Sequence, residues 1–314
     1  MAKVTVIIRT TGEKFKLKLL RATISSLARQ KFKDFSVIVV AYENKELIER
    51  FLREELPQHD YRVVMSPIRN RCVQSNIGIK LTNSEYVAII DDDIALSSDW
   101  LETMFNSIRN SPTEVACICS PVYPLHKIGG KSSRGVRTES LSCLQVLRRF
   151  LRALSISSTF WPKNTKSLGQ GFKEIPTIPS NCMICERIAL VNVGLYDTAL
   201  REPLRGDDYD LGFRLRKSGY KILSCSITKG FHVENYFTKW LGKEPKFFKN
   251  MSLTEFYVLM KHRWFVGLHV IIFHVLYRII ESLYWTYKSK ELSLILLVLR
   301  GVVDGIVQGF KAKQ

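Results

Sequence analysis

The sequence predicts an α/β protein built on a mostly parallel sheet with helices on both faces. Three observations carry that prediction. Short apolar runs alternate with amphipathic helical patterns over the first 120 residues. The runs lack the polar alternation of a half-exposed strand, so both faces of the sheet are expected to be covered. A composition of 46% hydrophobic and 24% charged residues over 314 positions supports a globular core and argues against a disordered, collagen-like or disulfide-knot chain.

Val4–Ile8 is the first strand candidate, and the spacing of Leu20, Ile24, Leu27 and Ala28 predicts a helix after it. Phe35–Val40 and Tyr61–Met65 are the second and third strands, separated by a helical stripe at Leu47, Ile48, Phe51 and Leu52. A helix over about Cys72–Leu81 leads into Tyr86–Ile90, the fourth strand. Ser98-Asp99 with Glu102 forms a capping-box pattern that starts a helix carrying Trp100, Leu101, Met104, Phe105 and Ile108. Val115–Cys119 is the next strand. In such a sheet ligands bind beyond the carboxyl ends of the strands, so the chemistry is expected there.

The alternation stops at Pro121, resumes at Pro179 and ends near His232. Between the two, residues 120–175 hold ten Lys or Arg against two Asp or Glu, a basic insertion that contains Gly129-Gly130, Ser132-Ser133 and an amphipathic stretch, Leu144–Leu154. That stretch reads equally as a membrane-surface or phosphate-facing helix and as a solvated helix packed on the core. The chain carries 47 basic and 29 acidic side chains, and its formal charge of +18 favours an anionic partner: nucleic acid, an anionic membrane or a phosphorylated substrate. No nucleic-acid motif accompanies the charge, so nucleic acid is not expected as a partner. Seven cysteines behind no secretory signal fit a reduced, cytoplasmic protein. Cys182 and Cys185 form a single CxxC in an apolar run and read as part of a buried strand.

Three constellations bear chemistry. Asp91-Asp92-Asp93 follows the fourth strand, where extended backbone would put Asp91 and Asp93 on one side as hard oxygen ligands for Mg2+ or Mn2+. A solvated turn with a helix cap is the plainer reading of the same residues. Gly206-Asp207-Asp208-Tyr209-Asp210 suits a turn into a helix N-terminus, where its acids act as caps or one serves as a general base. Arg214 and Arg216 follow, two apart and on different helical faces. His232 is a lone histidine, either structural or a metal ligand. Ser252 with Glu255 reads as a further capping box.

Together these segments resemble the family 2 glycosyltransferases of GT-A fold. The segments that match are the N-terminal strand–helix–strand, Asn76-Ile-Gly78, Glu85–Asp93, Asp99-Trp-Leu-Glu102, Val193-Gly194-Leu-Tyr-Asp197 and Gly206–Tyr220, and they cover roughly residues 3–235. The resemblance implies a catalytic domain over 1–235 and inverting transfer from a UDP- or GDP-linked sugar, with Mn2+ or Mg2+. It implies donor binding at Thr10, Glu13, Glu43, Asn76, Asp91, Asp92 and Asp93, and metal binding at Asp91, Asp93 and His232. Asp208 matches the family's catalytic base. Asp207 stands where Glu is usual, and both it and Asp210 are expected to face the acceptor or support the base. The chain departs from the family pattern at Ala41-Tyr42-Glu43-Asn44, where Glu43 replaces an Asp, and at Arg9-Thr10-Thr11-Gly12, which lacks the common Pro. Met260-Lys-His-Arg263-Trp264 matches the Gln-x-x-Arg-Trp motif of processive synthases only in part, which points to transfer of a single sugar.

Residues 236–314 are expected to form a helical extension associated with a membrane. Trp264–Tyr277 and Leu292–Val307 are apolar but interrupted at Arg278, Arg300 and Asp304, each shorter than the roughly 20 residues of a spanning helix. Trp264, Tyr277, Tyr284, Trp285 and Tyr287 beside Lys288 and Lys290 suit a lipid interface. These features predict a peripheral or monotopic hairpin on the cytoplasmic face of the cell membrane, and with it a lipid-linked or glycan acceptor. A cap on the catalytic domain or a homo-oligomer contact is the plainer reading. The rival functions are a two-metal phosphohydrolase and a non-catalytic basic protein that binds membrane or nucleic acid.

Overall fold

The protein is described by a computed structural model that places residues 2–125, 171–179, 181–200, 206–233 and 245–312. Gly129-Gly130 and the Leu144–Leu154 stretch lie outside the described residues. The chain forms two compact units, one with the described residues of Met1–Gly129, Lys166–Thr198 and Arg214–Asn235, the other with those of Ala199–Phe213 and Tyr236–Gln314. The boundary expected near residue 235 follows chain order, whereas by packing Ala199–Phe213 goes with the tail.

In the first unit the elements run β1 (Val4–Thr10), α1 (Lys14–Ala28), β2 (Phe35–Ala41), α2 (Lys45–Glu55), β3 (Tyr61–Met65), α3 (Arg71–Leu81), β4 (Tyr86–Asp91), β5 (Ile94–Leu96) and α4 (Trp100–Arg109). They continue as β6 (Val115–Cys119), β7 (Val122–Pro124), β8 (Phe172–Glu174), β9 (Cys182–Glu186) and α5 (Arg187–Asn192). Next comes α6 (Asp207–Lys217), whose residues through Phe213 belong to the second unit, and then β10 (Lys221–Cys225) and β11 (Gly230–His232) of the first. The main sheet has eight strands in the order β3-β2-β1-β4-β9-β6-β10-β8. β1–β4 run parallel, while β9 is antiparallel to β4 and β6 and closes the gap between the two halves. A small sheet, β5-β11-β7, pairs His232 with Ile94, one residue beyond the acidic triplet.

Strand alternation sorts β1 between the two faces. Val4, Val6 and Ile8 join Leu20, Ile24, Ile48, Leu101 and Met104 in one core layer. Ile7 faces α3 at Gly78, where an added Cβ would lie 2.5 Å from Ile7 Cγ2, so only glycine permits this approach. The capping box expected at Ser98–Glu102 does not form. Asp99 makes no side-chain cap, and its Oδ1 instead accepts from Thr228 Oγ1 at 3.1 Å. All five predicted apolar residues of α4 are buried nonetheless.

The expectation of seven reduced thiols fails at Cys117 and Cys185. The β6–β9 register sets these two residues opposite each other, and they form a disulfide. Cys182 does lie in a buried strand as expected, and burial pushes its thiol up to about 12.

In the second unit, α7 (Pro245–Lys261), the short α8 (Arg263–Val266), α9 (Leu268–Ser289) and α10 (Ser293–Lys311) form a bundle. Gly301, Gly305 and Gly309 of α10 lie on the Lys249, Leu253 and Tyr257 carbonyls of α7 in step, so the two helices run parallel at close range. Phe248–Trp285, Ser252–Arg278 and Glu255–His274 pair α7 antiparallel with α9. The four-residue glycine spacing is plain in the sequence as a close-packing motif. A Cβ on Gly305 would sit 2.4 Å from the Leu253 oxygen. Gly305→Ala is therefore expected to lower stability by about 1–3 kcal/mol, as overpacking does. An unchanged denaturation midpoint would mean that the helices do not meet there.

Two expectations about the tail are corrected. Ser252 is not a cap; it lies inside α7, bonds the Phe248 carbonyl and accepts from Arg278 Nη2 at 2.7 Å. The apolar stretches are not too short, because they run through their charged residues as helices of 22 and 19 residues, long and apolar enough by length and composition to cross a membrane. Arg278 is 1% exposed and bonds Glu281 and Ser252, with Glu255 Oε2 at 3.6 Å. Asp304 pairs with Lys249 at 3.3 Å. Both charges are thus engaged by residues of the bundle itself.

Candidate active site

The carboxyl ends of β1, β2 and β4 meet the turns that follow them. Gly12 adopts φ +76°, and a Cβ there would lie 2.1 Å from the Glu43 oxygen, so a side chain would separate the β1 and β2 turns. Asn44 Nδ2 donates to the Gly12 carbonyl at 2.9 Å, and Gln74 Nε2 donates to the Thr10 and Val40 carbonyls at 2.6 and 3.1 Å. Asn70 caps α3 through the amides of Cys72 and Val73. These bonds satisfy strand and helix ends that would otherwise need water.

The three carboxylates have separate partners. Asp91 is the last residue of β4 and sits beside Arg9 in the β1 register. Arg9, 4% exposed, bonds Asp91 Oδ1 and Ser75 Oγ. Burial pushes the Asp91 carboxyl up, but the Arg9 and Arg71 guanidinium groups outweigh it and hold it below the usual range. The backbone turns at Asp92–Asp93, so the extended geometry expected of the triplet stops at Asp91. Asp92 is buried between Thr10 Oγ1 at 2.7 Å and Lys16 Nζ at 2.8 Å. Burial pushes its carboxyl up to about 6 even with Lys16 alongside. Burial disfavours charge on Lys16 as well, yet Asp92 and Asp93 hold its ammonium above the usual value. Asp93 lies 3.7 Å from His232 Nδ1 and 3.8 Å from Lys16 Nζ, within ion-pair range but longer than a hydrogen bond. The Asp93 carboxylate holds His232 above its ordinary range.

The other predicted donor residues are placed as follows. Thr10 is 2% exposed, with its hydroxyl committed to Asp92 and the Gly12 amide, so it acts on the site through Asp92. Glu13 bonds Arg69 at 2.7 Å and Thr11 at 3.0 Å. Glu43 is exposed on the β2 turn. Asn76 spends both amide atoms on the Tyr196 backbone, at 2.8 Å each, and so ties α3 to the Val193–Asp197 turn. Arg9 and Lys16 were missed by sequence reading, although an Arg ending a strand beside a triple-Asp strand was a usable signal.

In the second unit, Asp207, Asp208 and Asp210 occupy the first turn of α6, where the helix dipole favours negative charge. Asp207 and Asp210 are 1% and 0% exposed, whereas Asp208 is partly exposed. Asp210 Oδ1 lies 2.7 Å from Lys261 Nζ and 2.8 Å from His262 Nε2.

A mostly parallel sheet covered on both faces, with acids at the carboxyl end of its central strand, is the GT-A arrangement of a nucleotide-sugar enzyme. Residues 5–171, more than half of the chain, match the model of glycosyl transferase family 2, and the chain belongs to that family. The glucosyl-dolichyl phosphate glucuronosyltransferase of Haloferax volcanii is 28% identical over 96 residues, a match that spans 30% of each chain. In fold the chain is similar to GalNAc-T7 crystallised with UDP, GalNAc and Mn2+ (TM-score 0.57, 13% identity), covering 92% of this chain and 55% of that one. It is also similar to the mannosyltransferase PcManGT of Pyrobaculum calidifontis in complex with GDP-Man and Mn2+ (TM-score 0.54, 13% identity), covering 97% of this chain and 87% of that one. Residues 1–349 of S. aureus TarS are similar at a TM-score of 0.52 and 14% identity, with 97% and 81% covered.

Proposed function

We propose that this protein is an inverting glycosyltransferase that moves one sugar from a UDP- or GDP-linked donor to a lipid-linked acceptor at the cytoplasmic face of a membrane. The observation that carries the proposal is Asp93 opposite His232 at the carboxyl ends of β4 and β11, in a chain of glycosyl transferase family 2. A carboxylate and an imidazole 3.7 Å apart suit Mn2+ or Mg2+ as partial ligands. Among the described residues no group of three or more His, Cys, Asp or Glu could hold a metal alone, which fits an ion that donor phosphates help to bind. Asp91 is tied to Arg9, so the metal role falls chiefly on Asp93 and His232, with Asp91 shaping the donor site. When bound, such an ion would stabilise the charge developing on the departing nucleoside diphosphate. Glu13 and Glu43 border the donor end, with Thr10 and Asn76 as supports. Asp208 takes the proton of the attacking acceptor hydroxyl. A panel of UDP- and GDP-sugars with and without Mn2+ tests the proposal by thermal shift and product formation; metal-dependent hydrolysis of simple phosphoesters without sugar transfer would replace it with the two-metal phosphohydrolase.

The catalytic domain is read as 1–235 and the membrane region as 236–314. Leu268, Ile272, Leu276, Leu296 and Val303 form an exposed apolar face on α9 and α10, with Leu268 69% and Leu296 71% exposed. Residues 233–314 carry twelve Lys or Arg against six Asp or Glu, which favours anionic lipid. α7 packs along α10 yet carries Lys249, Glu255 and Lys261, so a bundle lying in the interface suits these helices better than two spans. The Haloferax volcanii relative, by name an enzyme of a dolichyl phosphate sugar, supports a lipid-linked acceptor. Full-length protein is expected to float with anionic liposomes, more weakly in high salt. The double variant Ile272→Glu, Leu296→Glu should stay behind; equal flotation would make the apolar face a protein contact.

A further inference from the structure

Asp210 is buried completely, which capping of a helix N-terminus does not require. Its Oδ1 accepts from Lys261 Nζ at 2.7 Å and meets His262 Nε2 at 2.8 Å, at the C-terminal end of α7. Phe213, further along α6, packs on the rings of His262 and Phe265 with centroids 5.2 and 5.7 Å apart. Gly206, just before the helix, leaves room for only 3.1 Å between an added Cβ and Val258 of α7. The start of α6 is therefore pinned at three successive levels to the C-terminal part of α7 and the turn into α8. Residues three apart share a helical face, whereas residues two apart are rotated by roughly 200°. With Asp210 held by α7 and Asp207 buried on the same face, Asp208 is turned outward, in agreement with the exposure of the three.

We infer that Asp210, with Lys261 and His262, is a positioning residue that sets the direction of the Asp208 carboxylate. The inference rests on the reading of Asp208 as the base. A purely stabilising ion pair would lower turnover only as far as it unfolds the protein. A positioning contact lowers kcat even in protein that is fully folded, because a small misplacement of a reacting group is costly in rate.

The test compares Asp210→Asn, the double variant Asp210→Asn, Lys261→Met, and Asp208→Asn. The substrates are the nucleotide sugar selected by the panel and, as acceptor, glucosyl-dolichyl phosphate in detergent micelles, whose glucose supplies the attacking hydroxyl. Asp210→Asn is expected to lower kcat by ~10- to 10²-fold while the donor KM and the calorimetric donor affinity stay within about twofold. The double variant, which no longer leaves Lys261 without its carboxylate, is expected to recover Tm but not kcat. Recovery of kcat together with Tm would make the contact structural and overturn the inference. Wild-type kcat in Asp210→Asn beside a dead Asp208→Asn would overturn it and leave the base reading standing. Normal turnover in Asp208→Asn would remove the base reading, and the positioning role with it.

Discussion

Asp93→Ala is expected to abolish metal-dependent donor binding and leave the fold intact. Asp91 is bonded to Arg9, and Asp92 to Thr10 and Lys16, so loss of either unsettles a buried partner. Asp93 makes only longer approaches, to His232 at 3.7 Å and Lys16 at 3.8 Å, and it sits on a turn. Its removal therefore costs little packing while taking away a hard oxygen ligand. Calorimetry should record no Mn2+-dependent heat with the nucleotide sugar, at an unchanged Tm. Asp91→Ala is expected to lower stability as well as donor affinity. It strips the carboxylate from a guanidinium 4% exposed and is expected to lower the Tm. Unchanged nucleotide-sugar and Mn2+ affinity in Asp93→Ala would sink the metal assignment.

Asp208→Asn is expected to reduce transfer by at least ~10²-fold with donor affinity nearly unchanged. Asn keeps the size and most hydrogen bonding of Asp but cannot accept the acceptor's proton. Asp208 is the choice among three acids because Asp207 and Asp210 are 1% and 0% exposed and Asp210 is engaged by Lys261 and His262. Near-normal turnover would reassign the role to Asp207 or Asp210. Single-turnover measurement separates the proton-transfer step from product release and so shows which step the substitution slows.

The longer strands and helices up to β6 were legible because their signals are local, whereas the three-residue strands β5, β7, β8 and β11 were not read. β-branched runs fit a pleated, doubly covered sheet, and helical spacing puts one apolar face inward. Tyr61–Met65 and Val115–Cys119 appear with the bounds their sequence suggests. The acidic triplet was legible too, since its place after an apolar strand fixes it at the carboxyl end of the sheet. The capping boxes misled for a physical reason. Asp99 finds Thr228 and Ser252 finds Arg278, tertiary partners that outbid the local bond a four-residue pattern can offer. The tail misled in the same way: Arg278 and Asp304 read as breaks in two apolar stretches, yet each meets an opposite charge inside the bundle.

The sequence by itself determined the alternation of elements, the family resemblance, the acids at the end of β4 and the acids at the start of α6. Only the tertiary structure decided how those acids divide their work. The parallel register of β1 on β4 gives Asp91 to Arg9, the approach of α1 gives Asp92 to Lys16, and the pairing of β11 with β5 brings His232 to Asp93. The packing of α6 on α7 buries Asp210 and leaves Asp208 partly exposed. The physical reason is one of range: periodicity and propensity act over a few residues, whereas the partner that neutralises a buried charge is supplied by a segment tens of residues away. That segment is known only once the strands have chosen their neighbours.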